Sequence, residues 1–539
     1  MDVSLPGNLL TDKRTLWLVG ALAVVLFLLT NLPWQLDDYD QAKQAYTSFE
    51  MVKDGHWFYQ QTPHEHVATK PPLIGWISAG LFAITRSWDV AWRLPSLLAA
   101  IAMAILLFRT ANSAYGSIAG LIALSAFGLN MVTLRLATLV RTDMPLALAI
   151  FLIGLLIWQK IRTRAIWNDH DRRSVLALLT AAMLIKGPIV YAFLLPGIAL
   201  FQWRASGGTR AVVSQIFGRR QRGRPPLNEK SDTPGEACSA WSGWRPWLLS
   251  LGIFLVWVIG GIIFQTGFFN QVVMREFVGR FGETIHRPQP FYFYLPHLLH
   301  KFAPWSLLMI ALAVIDLRSA KWKVREAFRQ MSPETFWLIC WSLGGLLAMS
   351  LIPSKRVDRI FPVIPPLCLL LAAQIANWEG RASARPRPAE AGPSDADLAD
   401  AENEDARGRV YLWSAIVLVA SILFTSVYTM SKVVTGYRDQ RDALVVFGHQ
   451  VRDEADKHHW RYEAVTADDE GLLLYLRRPH FLKPDRAVAE WNGGYVDALV
   501  VPGKDAPALM RQLHDAALSE LKSAGRKDER GLGYVLITR

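Results

Sequence analysis

Long apolar runs almost free of charge recur along this chain, and they restrict its fold more than any other feature. The first, Thr15 to Leu32, follows Lys13 and Arg14 directly and contains no charged residue. Such a run approaches the roughly 20 residues that a helix needs to cross a bilayer. No small-residue cleavage site follows it, so a retained span is expected rather than a removed signal peptide. With 52% hydrophobic residues and 21 Trp in 539 positions, the chain is too long for one soluble domain and too oily for several. A polytopic membrane protein fits.

The net charge of +12 raises the question of nucleic acid. The basic residues, however, gather in short segments between apolar runs, at Lys160 to Arg173, Arg204 to Arg245 and Lys321 to Arg329. That is the positive-inside signature of cytoplasmic loops, and no nucleic-acid partner is expected. After the first span, apolar stretches near 72–85, 91–108, 114–128 and 131–140 read as four short crossings, or as two plus a re-entrant pair. Further spans are expected near 143–160, 174–187, 188–203, 246–266, 303–317, 334–352, 360–378 and 410–430, about thirteen in all. Residues 379–409, rich in Ala, Pro, Asp and Glu, read as a disordered cytoplasmic linker. From Ser431 short apolar runs alternate with helix-like stretches, which predicts a small α/β domain over 431–539 on the outer side. The expected fold class is therefore mainly α: a polytopic membrane helix bundle over 1–430, with outer loops 33–71 and 267–302, and a small C-terminal α/β soluble domain.

Cys238, Cys340 and Cys368 fall in a cytoplasmic loop or within spans, which leaves none for a disulfide in the outer regions. No Gly-rich phosphate loop, dinucleotide fingerprint or internal repeat is found, so a nucleotide-driven pump or a cofactor oxidoreductase has no support.

Charge beside an apolar span is expensive and marks function. Here it concentrates in outer-facing segments: Asp37, Asp38, Asp40, Lys43, Glu50, Lys70, Asp143, Lys186, Arg275, Glu276, Arg280, His286, Lys355, Arg356, Asp358 and Arg359. A few carboxylates among many cations suit transfer from a lipid phosphate. Cations neutralise the leaving phosphate while a carboxylate takes the proton from an attacking hydroxyl. A plainer reading is that outer loops carry charge for solubility and that Lys and Arg meet anionic headgroups. Against it, Lys70-Pro-Pro72, Lys186-Gly-Pro188 and Lys355 to Arg359 before Pro362 set charge against Pro-rich helix starts, which aim side chains into the interface. His64-Glu-His66 invites a metal reading, but two histidines at i and i+2 share a side only in a strand and no third ligand is evident. No cofactor is required by any motif, and a divalent metal stays open. Two rival classes are a lipid-linked sugar transporter or flippase, which calls for inverted repeats and midplane charges, and an assembly protein recruiting partners through its tail.

Several motifs fall in a fixed order: Asp40-Gln-Ala-Lys-Gln44 through Glu50-Met51, Gly55-His-Trp57, Lys70-Pro-Pro-Leu73, Arg141-Thr-Asp-Met-Pro145 and Leu184-Ile-Lys-Gly-Pro188. They continue with Glu276-Phe-Val-Gly-Arg-Phe281 and His286, Pro290-Phe-Tyr-Phe-Tyr294, Ala303-Pro-Trp305 and Ile352-Pro-Ser-Lys355 before Phe361-Pro362. Over roughly residues 15 to 375 this order resembles the bacterial aminoarabinose transferases and the protein O-mannosyltransferase-like glycosyltransferases of the GT-C superfamily. The resemblance implies a GT-C fold, a polyprenyl-phosphate sugar donor, chemistry on the periplasmic side and inversion at the anomeric centre. It implies a lipid or glycan acceptor such as lipid A, or a protein acceptor. It also implies a multi-pass protein of the bacterial inner membrane, expected to act as a monomer among membrane lipids.

Carried over by position, the resemblance makes Asp40 the base and Asp143 the second acid. Lys70, Arg280 and Lys355, with Arg359 in reserve, face the donor phosphate. Lys43, Lys186, Glu276, His286, Tyr292 and Tyr294 are the remaining candidates for substrate contact. Asp37 and Asp38 compete with Asp40, and Asp143 can also serve as a helix N-cap. Lys186 and Arg275 can act as headgroup anchors, and Phe291 to Tyr294 as an interfacial belt. The chain departs from the aminoarabinose transferases at Gln41, Lys43, Thr69 and Arg356 to Arg359, which leaves the sugar and the acceptor open.

Overall fold

The computed structural model describes residues 10–36, 39–63, 66–205, 240–279, 288–319, 321–324, 326, 328, 331–383, 393–465, 470–523 and 533–539. The chain opens with α1 (Lys13–Leu29), started by the Asp12 carboxylate, which accepts from the Arg14 amide at 2.9 Å. There follow α2 (Tyr39–Asp54), α3 (Leu73–Thr85), α4 (Leu94–Tyr115), α5 (Ser117–Gly128) and α6 (Met131–Leu136). Next come α7 (Asp143–Thr163), α8 (Asp169–Lys186), α9 (Ile189–Ala205) and α10 (Trp244–Phe264), then a π-helical stretch, Phe269–Val278. The set closes with α11 (Tyr294–Lys301), α12 (Trp305–Ser319), α13 (Pro333–Leu351), a 3-10 turn Val357–Val363, α14 (Ile364–Ser383) and α15 (Pro393–Arg438).

Six helical segments are long and apolar enough to cross a membrane, in α4, α7, α10, α13, Val357–Glu379 and the Gly408–Arg438 part of α15. Helices α11 and α12, bent by 103°, make a seventh if taken as one. Thirteen crossings were expected; among the described residues that number is not reached by helices of spanning length. Two of the expected spans are short helices, for local reasons. Helix α3 stops after 13 residues at Arg86, which adopts a left-handed backbone. Helix α5 stops after 12, because the Asn130 side chain takes the carbonyls of Ala126 and Phe127 while its oxygen caps the amides opening α6. From Ile118 to Gly128 every residue of α5 is buried, as an all-apolar helix requires.

Small residues let α9 and α13 cross closely. A Cβ on Gly344 would lie 2.4 Å from the Gly197 backbone nitrogen, and one on Gly197 would lie 2.9 Å from the Cys340 carbonyl. Residues 379–409, expected to be disordered, are helical where described: α14 continues to Ser383 and α15 begins at Pro393.

The C-terminal unit is α/β, as its alternating pattern predicts. It holds α16 (Ala443–His458), β1 (Tyr462–Ala464), α17 (Glu470–Leu476), α18 (Pro484–Asn492), β2 (Ala498–Pro502), β3 (Ala517–Lys522) and β4 (Tyr534–Thr538). The sheet order is β1-β2-β4-β3, parallel only between β1 and β2. Along β2, Ala498 and Val500 face α16 and α17, and Leu499 and Val501 face Trp491 of α18, the two-residue alternation of a strand covered on both sides. The first of these clusters does not stop at residue 431. It takes in Leu36, Ala42, Ala45, Tyr46 and Phe49, so α2 and the C-terminal unit share one hydrophobic core. Tyr475 accepts from the Leu36 amide at 2.6 Å, and the Tyr46 hydroxyl donates to the Pro479 carbonyl.

Candidate active site

Ala42, Ala45, Tyr46 and Phe49 are spaced as one helical stripe, and their burial orients α2. Asp40, in its first turn, keeps a partly exposed carboxylate. Arg356 donates to that carboxylate, and Arg141 stands 3.7 Å from it. Arg141 is itself buried in the approach to α7 and donates to Asp358 at 2.8 Å. Asp358, on the 3-10 turn, also meets Arg135 at 3.7 Å and Arg356 at 4.0 Å. Acids and guanidiniums thus alternate, which is the arrangement that offsets the desolvation of buried charge. Burial works to raise the Asp40 pKa, but Arg356, Arg141 and Lys70 outweigh it and hold the carboxyl below its ordinary range.

A second acid–base pair lies beside the first. Asp143 opens α7 and Lys186 closes α8, and their side chains meet at 2.5 Å with both largely buried. Acid at a helix start and cation at a helix end also complement the two helix dipoles. The N-cap reading of Asp143 is corrected here: Thr142 holds the cap position, and the Asp143 carboxylate is committed to Lys186. The fields of Arg141 and Arg356 reach Asp143 as well, which joins the two pairs into one acid–cation cluster.

The other candidates are placed less uniformly. Lys355 is buried and donates to the Gln289 carbonyl at 2.9 Å, while Arg359 donates to the Ser354 carbonyl at 2.6 Å. Both brace the loop before α14. The charge of Lys43 is felt by Glu470 of the C-terminal unit. Tyr294 is fully buried; Tyr292 is exposed against the ring of Phe291. Arg280, His286, Asp37, Asp38, His64 and Glu65 lie outside the described residues, as does the side chain of Glu276. Among the described residues no group of three or more His, Cys, Asp or Glu is arranged to hold a metal.

Three functional candidates had no role assigned from sequence: Arg141, Arg356 and Asp358. Arg141 could have been found as the cation two residues before the expected acid; the roles of Arg356 and Asp358 depend on which loop meets which. Glu50 was also passed over as a bare motif letter. It falls four residues after Tyr46 on the buried stripe of α2 and is itself fully buried, bonded to His56 Nδ1 at 2.6 Å. Burial outweighs that bond and pushes its carboxyl up to about 7.

The fold is one that solved proteins share. The crystal structure of ArnT from Cupriavidus metallidurans bound to undecaprenyl phosphate superposes with a TM-score of 0.63 over 98% of both chains at 18% identity. Its apo form gives 0.59 at 19% identity, again over 98% of each chain. The chain therefore shares the fold of these two structures. In sequence, residues 69–213 match the family described as dolichyl-phosphate-mannose-protein mannosyltransferase. An undecaprenyl phosphate-alpha-4-amino-4-deoxy-L-arabinose arabinosyl transferase of Sodalis glossinidius is 34% identical over 128 residues, 23% of this chain and 21% of that protein. The corresponding enzyme of Pectobacterium atrosepticum is 32% identical over 122 residues, 22% of this chain and 20% of that protein. The chain thus aligns with about a fifth of the length of the curated relatives it matches.

Proposed function

We propose that this chain is an integral membrane glycosyltransferase. It moves a monosaccharide from a polyprenyl-phosphate sugar to an acceptor such as lipid A or another glycolipid, with inversion. The observation that carries the reading is the placement of Asp40: one carboxylate, partly open to solvent, with Arg356, Arg141 and Lys70 around it. A base beside a cluster of cations is what displacement of a phosphate from an anomeric carbon requires. In this reading Asp40 takes the proton of the attacking acceptor hydroxyl. Lys70 and Arg356, together with Arg280, Lys355 and Arg359, stabilise charge as it develops on the leaving phosphate. Because that charge is greatest in the transition state, the cations act mainly on the rate of the chemical step. Asp143 and Lys186 hold the wall of the site, and the donor's isoprenoid tail lies between apolar helices. The end of the bundle bearing Asp40 and the C-terminal unit faces the periplasm of a bacterial inner membrane.

The arabinosyl transferase relatives and the solved relative with bound undecaprenyl phosphate support the donor class. The family match over residues 69–213, described by its protein mannosyltransferases, supports a second reading in which the acceptor is a protein hydroxyl. Purified protein incubated with a panel of polyprenyl-phosphate sugars and with glycolipid and protein acceptors, followed by mass spectrometry, separates the two. Asp40→Asn is expected to abolish transfer while the protein stays folded. Full activity in that variant, or release of sugar only to water by the wild type, would defeat the proposal.

A further inference from the structure

Where the chain leaves α2, residues 55–61 run across α3 and the last two turns of α10, and two large aromatic side chains project from them. Trp57 is 44% exposed and Phe58 is 60% exposed. The apolar surface does not stop there. Phe58 meets the ring of Trp76 on α3 edge-on, with centroids 5.7 Å apart, and Ile77 next to it is exposed. On α10, Ile263 and Phe264 are exposed as well. An apolar patch of this kind marks a surface that something covers.

A second observation is independent of exposure. The carbonyls of the segment are bonded inside the protein. Gln60 donates to those of His56 and Trp57 at 3.2 and 3.0 Å, the Trp76 indole to that of Trp57 at 2.7 Å, and the Trp257 indole to that of Phe58 at 3.1 Å. The Ala68 amide donates to the Gln60 carbonyl at 2.7 Å. Tyr59 faces α10, its hydroxyl donating to the Trp257 carbonyl at 3.0 Å and its ring stacking on that indole. In water such provision is unnecessary, because solvent supplies the donors. Hydrocarbon supplies none, so backbone that enters a bilayer needs its partners built in.

We propose that residues 56–59 are a membrane anchor, with Trp57 and Phe58 entering the lipid leaflet just beneath its headgroups. Aromatic rings, and Trp above all, favour that layer. The fastening sets the depth, since Trp257 lies seven residues from the end of α10, about 10 Å along a helix. Lipid, and not a second copy of this chain, is the occupant. Only 28% of the apolar window of α10 is buried inside the protein, so the surface beside the anchor is one that a crossing helix turns to lipid. The assignment rests on α10 crossing the bilayer and not on the glycosyl-transfer reading. It ties the C-terminal end of α2 to the membrane, and so fixes the height at which the first turn of that helix presents Asp40.

Nitroxide labels placed by Trp57→Cys and, separately, by Phe58→Cys in the full chain test the assignment in vesicles of phosphatidylethanolamine and phosphatidylglycerol. Both variants also carry Cys238→Ser, so that the native cysteines left, Cys340 and Cys368, are buried. Depth is read as the ratio of collision rates with oxygen, which concentrates in lipid, to those with a water-soluble nickel chelate. Ile253→Cys, midway along α10, supplies the lipid reference, and Tyr495→Cys on the C-terminal unit the water reference. Both anchor positions are expected to give a ratio several-fold above that of Tyr495→Cys and below that of Ile253→Cys. The fastening bonds run through backbone carbonyls and through other side chains, so neither label removes one. A ratio equal to that of Tyr495→Cys at either position places the segment in water and overturns the proposal. Low collision rates with both reagents put protein over the patch, whether another copy or another part of this chain, and overturn it equally.

Discussion

Replacing Arg356 by Gln would remove the guanidinium bonded to Asp40 and leave Arg141, at 3.7 Å, and Lys70 as its remaining cations. With its pKa held below the ordinary value of 3.8, Asp40 stays ionised as a base from neutral pH down past pH 5. The acid limb of kcat/KM in the wild type therefore lies below that range. Arg356→Gln lets the Asp40 pKa rise, so the acid limb should move upward in a pH–rate profile. The rate itself should drop by about 10²–10³, the usual loss for one group that stabilises the transition state. The Asp143–Lys186 pair gives a different outcome. Asp143→Asn strands a largely buried ammonium, expected to cost about 3–5 kcal/mol of stability. Denaturation midpoints in detergent measure that loss, and adding Lys186→Met should recover much of it. At this scale the sequence made Asp40, Lys70 and Asp143 legible because each sits in a motif of its own. The bond between Asp40 and Arg356 was not legible, since 316 residues separate the partners and only the packing of α14 against its neighbours brings them together.

Helices show the same division between local and distant information. Charge-free runs located α1, α4, α7, α10 and α13 well, because apolar length is a property of the chain alone. The short runs near 72–85 and 114–128 became helices of 13 and 12 residues, as short as the runs themselves. Hydropathy does not see that Asn130 ends one helix and starts the next. The close crossing of α9 and α13 is likewise invisible until both are placed. Gly344→Val would drive a side chain into the Gly197 backbone, where even a Cβ lies 2.4 Å away. Overpacking of this kind costs about 1–3 kcal/mol or more. The expected result is a lowered melting temperature and poor recovery from membranes, with no change in the charge cluster's own residues. A wild-type melting temperature for Gly344→Val would mean that the two helices do not cross there.

For the whole molecule, the boundary expected at residue 431 marks a change of composition but not a break in packing. Glu470 is buried against α2 near Lys43 and Tyr46, and burial pushes its carboxyl up to about 7 despite the lysine. A folded-state pKa above the unfolded value means that the folded form binds the proton more tightly. Its stabilising effect is complete below about pH 4.5 and is lost as pH rises through 7. Stability should decline over that window, and Glu470→Gln should flatten the decline in a series of thermal melts; Glu50, raised in the same way, leaves a residual slope. The joint core also changes what a truncation experiment means. Cutting the chain after Asp442 would uncover Ala42, Ala45, Tyr46 and Phe49, so the turn that presents Asp40 would lose its footing even though no reacting group had been cut away. Inactivity of such a fragment would then speak of a missing buttress, and only a version with those four positions redesigned for solvent could report whether the tail takes part in the reaction.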